Sequence, residues 1–510
     1  MALSDPLSTR SAGVLCHLTS LPGPHGSGDL GAEAHAMVEW LASAKQRVWQ
    51  VLPVVPPEGN GSPYQSTSAF AGSPLLIDLR TLRDEGLLDE ADLEPTSELS
   101  AREVRHEAVA HFREARLRKA FEAFRADRPS GERLLAYASQ ERAWLDDYAL
   151  YSALKHVHGN KGWHEWPASL RRRQRSALVA AEREHVVEVR FHQFCQYQFA
   201  RQWAKLRQAA RARGVAIFGD LPIFVGHDSA DVWARPHEYF LDDEGMPAVI
   251  AGCPPDAFSA TGQRWGNPLY RWDVHAATGY AWWTARLARM FALFDIVRID
   301  HFIGLYRYWE IPAHEPTAVV GRFVPGPRDA FFAHLARALG RAPIVAEDLG
   351  IVTPEVTALR ERWGLPGMRV LQFSFALDPS AKHTHPHTID ERSVVYTGTH
   401  DNDTSVGWFD DLSARAPTEP DAGRELAVVM SWLGAQGRHD FAEAMRREAY
   451  RSRARTAIVP VQDLLGLGRE ARMNTPSLKD GNWAYRLPEG ALTAELARTL
   501  AWQAEVFDRA

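Results

Sequence analysis

Asp-Ile-Val-Arg-Ile-Asp (295–300), Pro-Ile-Val-Ala-Glu (343–347) and Val-Val-Tyr-Thr-Gly-Thr-His-Asp (394–401) are short, largely apolar runs that each finish on a carboxylate: Asp300, Glu347 and Asp401. Runs of this length, set among helical patterns, read as buried parallel strands. A carboxylate at the C-terminal tip of such a strand points to the end of a barrel where chemistry is done. Three of them, on three strands, predict a nucleophile, a proton donor and an acid that orients substrate.

Outward from these runs, five further segments read as strands: 14–18, 48–52, 215–220, 370–373 and 457–461. Helical patterns lie between most of them, at 33–44, 198–211, 280–293, 329–339, 354–363 and 424–432. Strands alternating with helices imply right-handed crossovers and a parallel sheet. Eight such units predict an α/β fold, a closed (β/α)8 TIM barrel. The rival is a doubly wound open sheet.

The whole chain, 1–510, then forms a single catalytic barrel, and its connections are unequal. Residues 53–214 and 221–293 are too long for structureless loops. The first is expected to hold an inserted subdomain at 75–200. An amphipathic stretch at 101–128, with Phe112, Leu117, Phe121 and Phe124 among charges, marks it as mainly helical. The second, 221–293, is expected to be a smaller insertion carrying an active-site lid loop. Insertions should be largely helical and gathered around the C-terminal face, with no C-terminal β-domain.

Composition narrows the class. A hydrophobic fraction of 45% and a charged fraction of 24% are those of a globular protein in water. A net charge of −6 gives no reason to expect nucleic acid, and the basic stretch Arg171-Arg172-Arg173 reads as a solvated helix face. No run reaches the ~20 apolar residues that span a bilayer. The three cysteines, Cys16, Cys195 and Cys253, are too scattered for a zinc ribbon or a disulfide scaffold. With no secretory signal at the start, a cytoplasmic location is expected.

The acids carry a specific chemistry. Arg298 and Asp300 are two residues apart and share one face of a strand. A guanidinium there favours the ionised carboxylate that a nucleophile needs. Two carboxylates about 5 Å apart repel by about 3 kcal/mol at an effective dielectric of ~20. Glu347 has no adjacent Arg, so the upward shift is assigned to it, making it the protonated general acid. Once Asp300 is a neutral glycosyl ester the repulsion falls, and Glu347 can act as base. Asp401, beside His400, is positioned to hold sugar hydroxyls and oppose positive charge on an oxocarbenium-like ring. Polar-aromatic loops add a second signal. Gly61-Ser62-Pro63-Tyr64-Gln65 follows strand two, and Pro254-Pro255-Asp256-Ala257-Phe258 leads to Gly262-Gln263-Arg264-Trp265-Gly266-Asn267-Pro268. Sugar rings stack on aromatic planes while amides and carboxylates grip their hydroxyls.

These motifs resemble those of the 4-α-glucanotransferases, also called amylomaltases or disproportionating enzymes. The likeness includes Ser20-Leu21-Pro22, Gly219-Asp220-Leu221-Pro222, Arg298-Ile299-Asp300-His301-Phe302, Ala346-Glu347-Asp348-Leu349-Gly350, Thr399-His400-Asp401-Asn402, Arg472-Met473-Asn474-Thr475-Pro476 and Gly481-Asn482-Trp483. The resemblance implies an α-amylase-like barrel enzyme that retains anomeric configuration. It transfers a segment of an α-1,4-glucan to the 4-hydroxyl of an acceptor through a covalent glycosyl-enzyme. By motif position Asp300 resembles the nucleophile, Glu347 the acid/base and Asp401 the transition-state stabiliser. Arg298, His301 and His400 would assist them; Asp220, Gln263, Trp265 and Asn267 resemble glucan contacts, and Tyr64 and Asn474 residues near the cleft. The resemblance implies no organic cofactor and no required metal. Donors and acceptors would be α-1,4-glucans and maltooligosaccharides, with glucose as acceptor and product, and the enzyme a monomer or weak homo-oligomer. Three positions depart from the pattern: Ile303 where Arg is common, Ala257 where an aromatic is usual, and Ser477 where Gly is common.

Two other readings stay open at this level. Asp300, His301, Glu347, His400 and Asp401 are residue types that bind metals at strand tips, although Arg298 would repel a divalent ion. A non-catalytic glucan-binding protein is the other.

Overall fold

A computed structural model describes residues 6–59, 61–255, 259–375, 385–476, 478 and 480–510. Ala257 and Ser477, two of the departures noted above, lie outside the described residues, as does the centre of the expected lid loop.

The described residues form twelve strands: β1 Ser11–Leu15, β2 Val48–Gln50, β3 Ala216–Leu221, β4 Val249–Cys253, β5 Gln263–Pro268, β6 Ile296–Ile299, β7 Arg307–Pro312, β8 Arg322–Pro325, β9 Ile344–Ala346, β10 Gly367–Val370, β11 Ser393–Tyr396 and β12 Thr456–Pro460. Eight of them close a barrel in the order β1-β12-β11-β10-β9-β6-β3-β2. The pairings are parallel throughout, from Gly13↔Val48 to Ser11↔Thr456 at the seam. Helices between the strands, such as Ala32–Ser43, Ala281–Leu293 and Pro354–Arg362, complete the (β/α)8 arrangement.

Strand alternation sorts the apolar residues into two cores. Ile296, Val345, Met368, Val394 and Ile458 fill the barrel lumen, while Val297, Ile299, Val395, Ala457 and Val459 pack outward under the helices. On β6 this places Arg298 on the lumen side, stacked above Ile296 and directed at the C-terminal mouth. Gly13 sits where β1 crowds its neighbours. A Cβ there would lie 2.5 Å from the Val48 carbonyl oxygen and 2.7 Å from Ile458 Cδ1. The seam is stitched by buried Arg509, whose guanidinium donates to the carbonyls of Ser11, Tyr450, Ser452, Ala454 and Arg455.

Residues 75–200 contain the long helices His106–Ala126 and Arg128–Val157 and the start of Val186–Ala212. The last of these leads into β3 and grips the loop after β2. Gln196 pairs both amide atoms with the backbone of Gly72 at 2.8 Å each, and Gln202 does the same with Asp78.

One element falls outside the helical pattern expected of the insertions. β4, β5, β7 and β8 form a separate antiparallel sheet in the order β5-β4-β7-β8, standing on the β3 and β6 connections. Two expected strands also shift. β1 and β10 end at Leu15 and Val370 because the apolar residues beyond them turn into 3-10 helices, Leu18–Ser20 and Leu371–Phe373.

Candidate active site

The C-terminal ends of β3, β6, β9 and β11 bring together the acids that the apolar runs announced. Asp220 is the fifth residue of β3, Asp300 follows β6, Glu347 follows β9, and Asp401 stands on the loop after β11. The tips are locked to one another: the Asp300 amide donates to the Leu221 carbonyl, and the Glu347 amide to that of Ile299.

Arg298 organises the centre. Its Nη1 donates to Asp220 Oδ2 at 2.6 Å, and its Nη2 lies 2.7 Å from Asp300 Oδ1. Burial opposes charge on this guanidinium, but Asp220 and Asp300 hold it well above its usual range. Burial raises the Asp220 carboxyl against the pull of Arg298. Tyr64 closes this network by donating its hydroxyl to Asp220 Oδ2 at 2.6 Å. Burial, with Asp220 next, keeps the phenol protonated.

Glu347 is buried, and its carboxylate accepts from two backbone amides, His301 at 2.7 Å and Leu349 at 2.9 Å. Burial pushes its carboxyl up to about 8, against Arg298 and those amides, with Asp300 adding to the rise. The expected direction holds, but burial is the larger cause and repulsion by Asp300 the smaller. The His301 backbone is left-handed, with φ 50°, an uncommon state for a non-glycine residue. That turn aims its amide at Glu347. Burial lowers the His301 imidazole to about 4, so it is neutral at physiological pH.

Asp401 is held from the loop after β12. Asn474 Nδ2 donates to its Oδ1 at 2.6 Å, and His400 Nε2 lies 3.3 Å from its Oδ2. Side-chain exposures of 29% for Asp300 and 43% for Asp401 leave both open to a ligand. Beside them runs an aromatic wall. Tyr64 stacks on His400 at 5.1 Å and 14°, and Trp483 tilts against both rings.

β5 supplies the opposite side. Gln263, Trp265 and Asn267 share one face of the strand. Trp265 meets the His301 ring edge-on at 4.8 Å and donates to Gln263 Oε1. Asn267 is further along, and its amide donates to the Val225 carbonyl. Ile303 is buried in the apolar core behind the site.

Two residues whose motifs were quoted above without a role stand here. Arg472 donates to the carbonyls of Asp401 and Asn474, tying the loops after β11 and β12; Trp483 is the third ring of the aromatic wall. Their motifs signalled them, but their partners come from distant loops. Among the described residues, no group of three or more His, Cys, Asp or Glu side chains is placed to hold a metal ion. Nor is any helix there long and apolar enough to cross a membrane.

Comparison with known proteins agrees with this geometry. Residues 16–493 match the family described as 4-alpha-glucanotransferase. The chain is 46% identical over 506 residues to the 4-alpha-glucanotransferase of Thermus thermophilus, covering 98% of this chain and 99% of that one. It is 42% identical over 507 residues to the Synechocystis enzyme of the same name, covering 99% of each. The solved amylomaltase from Streptococcus agalactiae, in complex with acarbose, aligns with a TM-score of 0.94 at 34% identity, over 98% of this chain and 99% of that one.

Proposed function

This chain belongs to the 4-alpha-glucanotransferase family and carries that family's glucan-transferring activity; within that activity, we propose that Asp300 is the nucleophile, Glu347 the acid/base and Asp401 the stabiliser of a retaining double displacement. Asp300 attacks C1 of the donor glucose. The C1–O4 bond breaks, and Glu347 gives its proton to the departing O4. The result is a glycosyl ester on Asp300. The 4-hydroxyl of an acceptor then attacks C1, Glu347 takes the hydroxyl proton, and the ester bond breaks to return the Asp300 carboxylate. Asp401, steadied by Asn474, opposes the positive charge on the ring at each passage.

The observation that carries this reading is the division of labour among the acids. Arg298 is bonded to Asp300, while Glu347, at the tip of the adjacent strand, is pushed up to about 8 and keeps its proton at neutral pH. Donors and acceptors are α-1,4-glucans and maltooligosaccharides, with glucose as a further acceptor and product. Tyr64, His400 and Trp265 offer ring faces and edges to them, with Trp483 buried behind the first two, and Asp220, Gln263, Asn267, His301 and Asn474 polar atoms. In this reading the enzyme works as a monomer or weak homo-oligomer. Cys16 and Cys195 are buried thiols outside any disulfide, which suits the cytoplasm.

Maltotriose tests the reaction. The expected products are glucose and a ladder of longer oligomers; glucose and maltose alone would mean a hydrolase.

A further inference from the structure

Whether a glycosyl ester on Asp300 passes to a sugar or to water depends on how firmly the groups around it are held. Gln263 and Trp265, with Asn267 further along, are the parts of the site carried by β5, outside the barrel staves. Between them stands Arg264, whose side chain faces the other way. It is paired across the sheet with Gly252, and so lies on the face that carries Ile250, Ile311 and Trp309, away from the cleft.

That rear face is backed by residues 313–321, the connection between β7 and β8. Trp309 Nε1 donates to the Ala318 carbonyl at 3.0 Å. The Ala318 amide donates to the Thr261 carbonyl, and Ala318 packs with Ile250 and Ile311. Gly262 admits this contact: its φ is +67°, and a Cβ there would lie 2.9 Å from that of Ala318. Arg264 then fixes β5 to the same segment at two points. Its Nε donates to the Glu315 carbonyl at 3.0 Å and its Nη2 to the Ala313 carbonyl at 2.9 Å. A planar fork reaching two carbonyls sets direction as well as distance, which a single ammonium does not.

We propose that Arg264 is a positioning residue for acceptor transfer. By clamping β5 to residues 313–321 it holds Trp265 and Gln263 against His301 beside Asp300, so that the ester meets a sugar hydroxyl in preference to water. The inference rests on the transferase reading above and adds a determinant of its outcome. Arg264 does not touch the glucan; it acts through Trp265 and Gln263.

The test uses the full-length enzyme on maltotriose. Transfer is read from the oligomer ladder, and hydrolysis from the net gain in reducing ends, which transfer leaves unchanged. In Arg264→Met the transfer-to-hydrolysis ratio is expected to fall about tenfold, within the loss that a misplacement of ~1 Å causes. Arg264→Lys, which keeps the charge but reaches one carbonyl, should fall between wild type and Met. It also carries the test if the Met variant does not fold. In a Trp265→Ala background the Arg264→Met change should add little, because Trp265 is gone and Gln263 has lost the indole that holds its amide. Three outcomes would overturn the proposal: an unchanged ratio in both Arg264 variants, an equal loss of transfer and hydrolysis, or full additivity with Trp265→Ala. A wild type that makes no ladder would remove the transferase reading itself; a ladder-forming wild type with an unchanged ratio in the variants would sink the role of Arg264 alone.

Discussion

Glu347 is placed where a low dielectric and a set of donors pull in opposite directions, and burial wins. An ordinary glutamate near 4.5 would have lost its proton at neutral pH, whereas this one holds it to about 8. The sign of the pH dependence follows. The first half-reaction needs the proton, so turnover should hold below about pH 8 and fall tenfold per unit above it. Glu347→Gln should lose most activity, about a hundredfold or more, and with it the alkaline limb. A kcat profile from pH 5 to 10 checks both, and a limb that survives in the Gln variant would assign it to another group. Asp300→Asn tests the nucleophile: turnover on maltotriose should drop by about 10⁴-fold or more. Oligosaccharide binding, measured by calorimetry, should persist, since Tyr64, Trp265 and His400 are untouched.

Elements differ in how clearly they announce themselves, and the reason is what each one faces. β6, β9 and β11 are buried on both sides, so their runs are largely apolar; Asp300 and Glu347 follow β6 and β9 directly, and Asp401 stands a short loop beyond β11. β5 is a strand too, but its Gln-Arg-Trp-Gly-Asn-Pro is mostly polar and lacks the run of apolar side chains that marks a strand. β8 is short and largely exposed, so no hydrophobic period marks it. No apolar alternation in β5 or β8 therefore sets the antiparallel sheet apart from the largely helical insertions that the sequence suggests. Arg472 escaped for a different reason: a guanidinium that donates to backbone carbonyls leaves no mark on its partners' sequence. Arg472→Met should leave the barrel folded and lower kcat about tenfold by freeing the loops that carry Asp401 and Asn474; a wild-type kcat would show that Asn474 alone suffices. Gly13 offers the complementary test in the barrel wall. Gly13→Ala drives a methyl into the backbone of β2, and a cost of about 1–3 kcal/mol is expected, read as a lower urea midpoint.

At the scale of the molecule, paired amides such as Gln196 with Gly72, and the buried ion pair of Arg113 with Asp29, join the helical insertion to the loops of the barrel. Gln196→Leu would leave both backbone groups of Gly72 without partners in a buried place. A loss of about 3 kcal/mol is expected, seen as a lower melting temperature with kcat at 25 °C little altered; an unchanged melt would mean that Gln202 carries the joint. The parallel pairing of β1 with β12 has a consequence for how the chain is made. β1 leaves the ribosome early, yet one of its flanks has no neighbour until β12 and the carbonyl-binding Arg509 have been translated. At synthesis rates of about 5–20 residues per second that wait is roughly 25–100 s. Throughout it the nascent protein exposes an unpaired parallel edge, the kind of surface that recruits chaperones or another copy of the same chain.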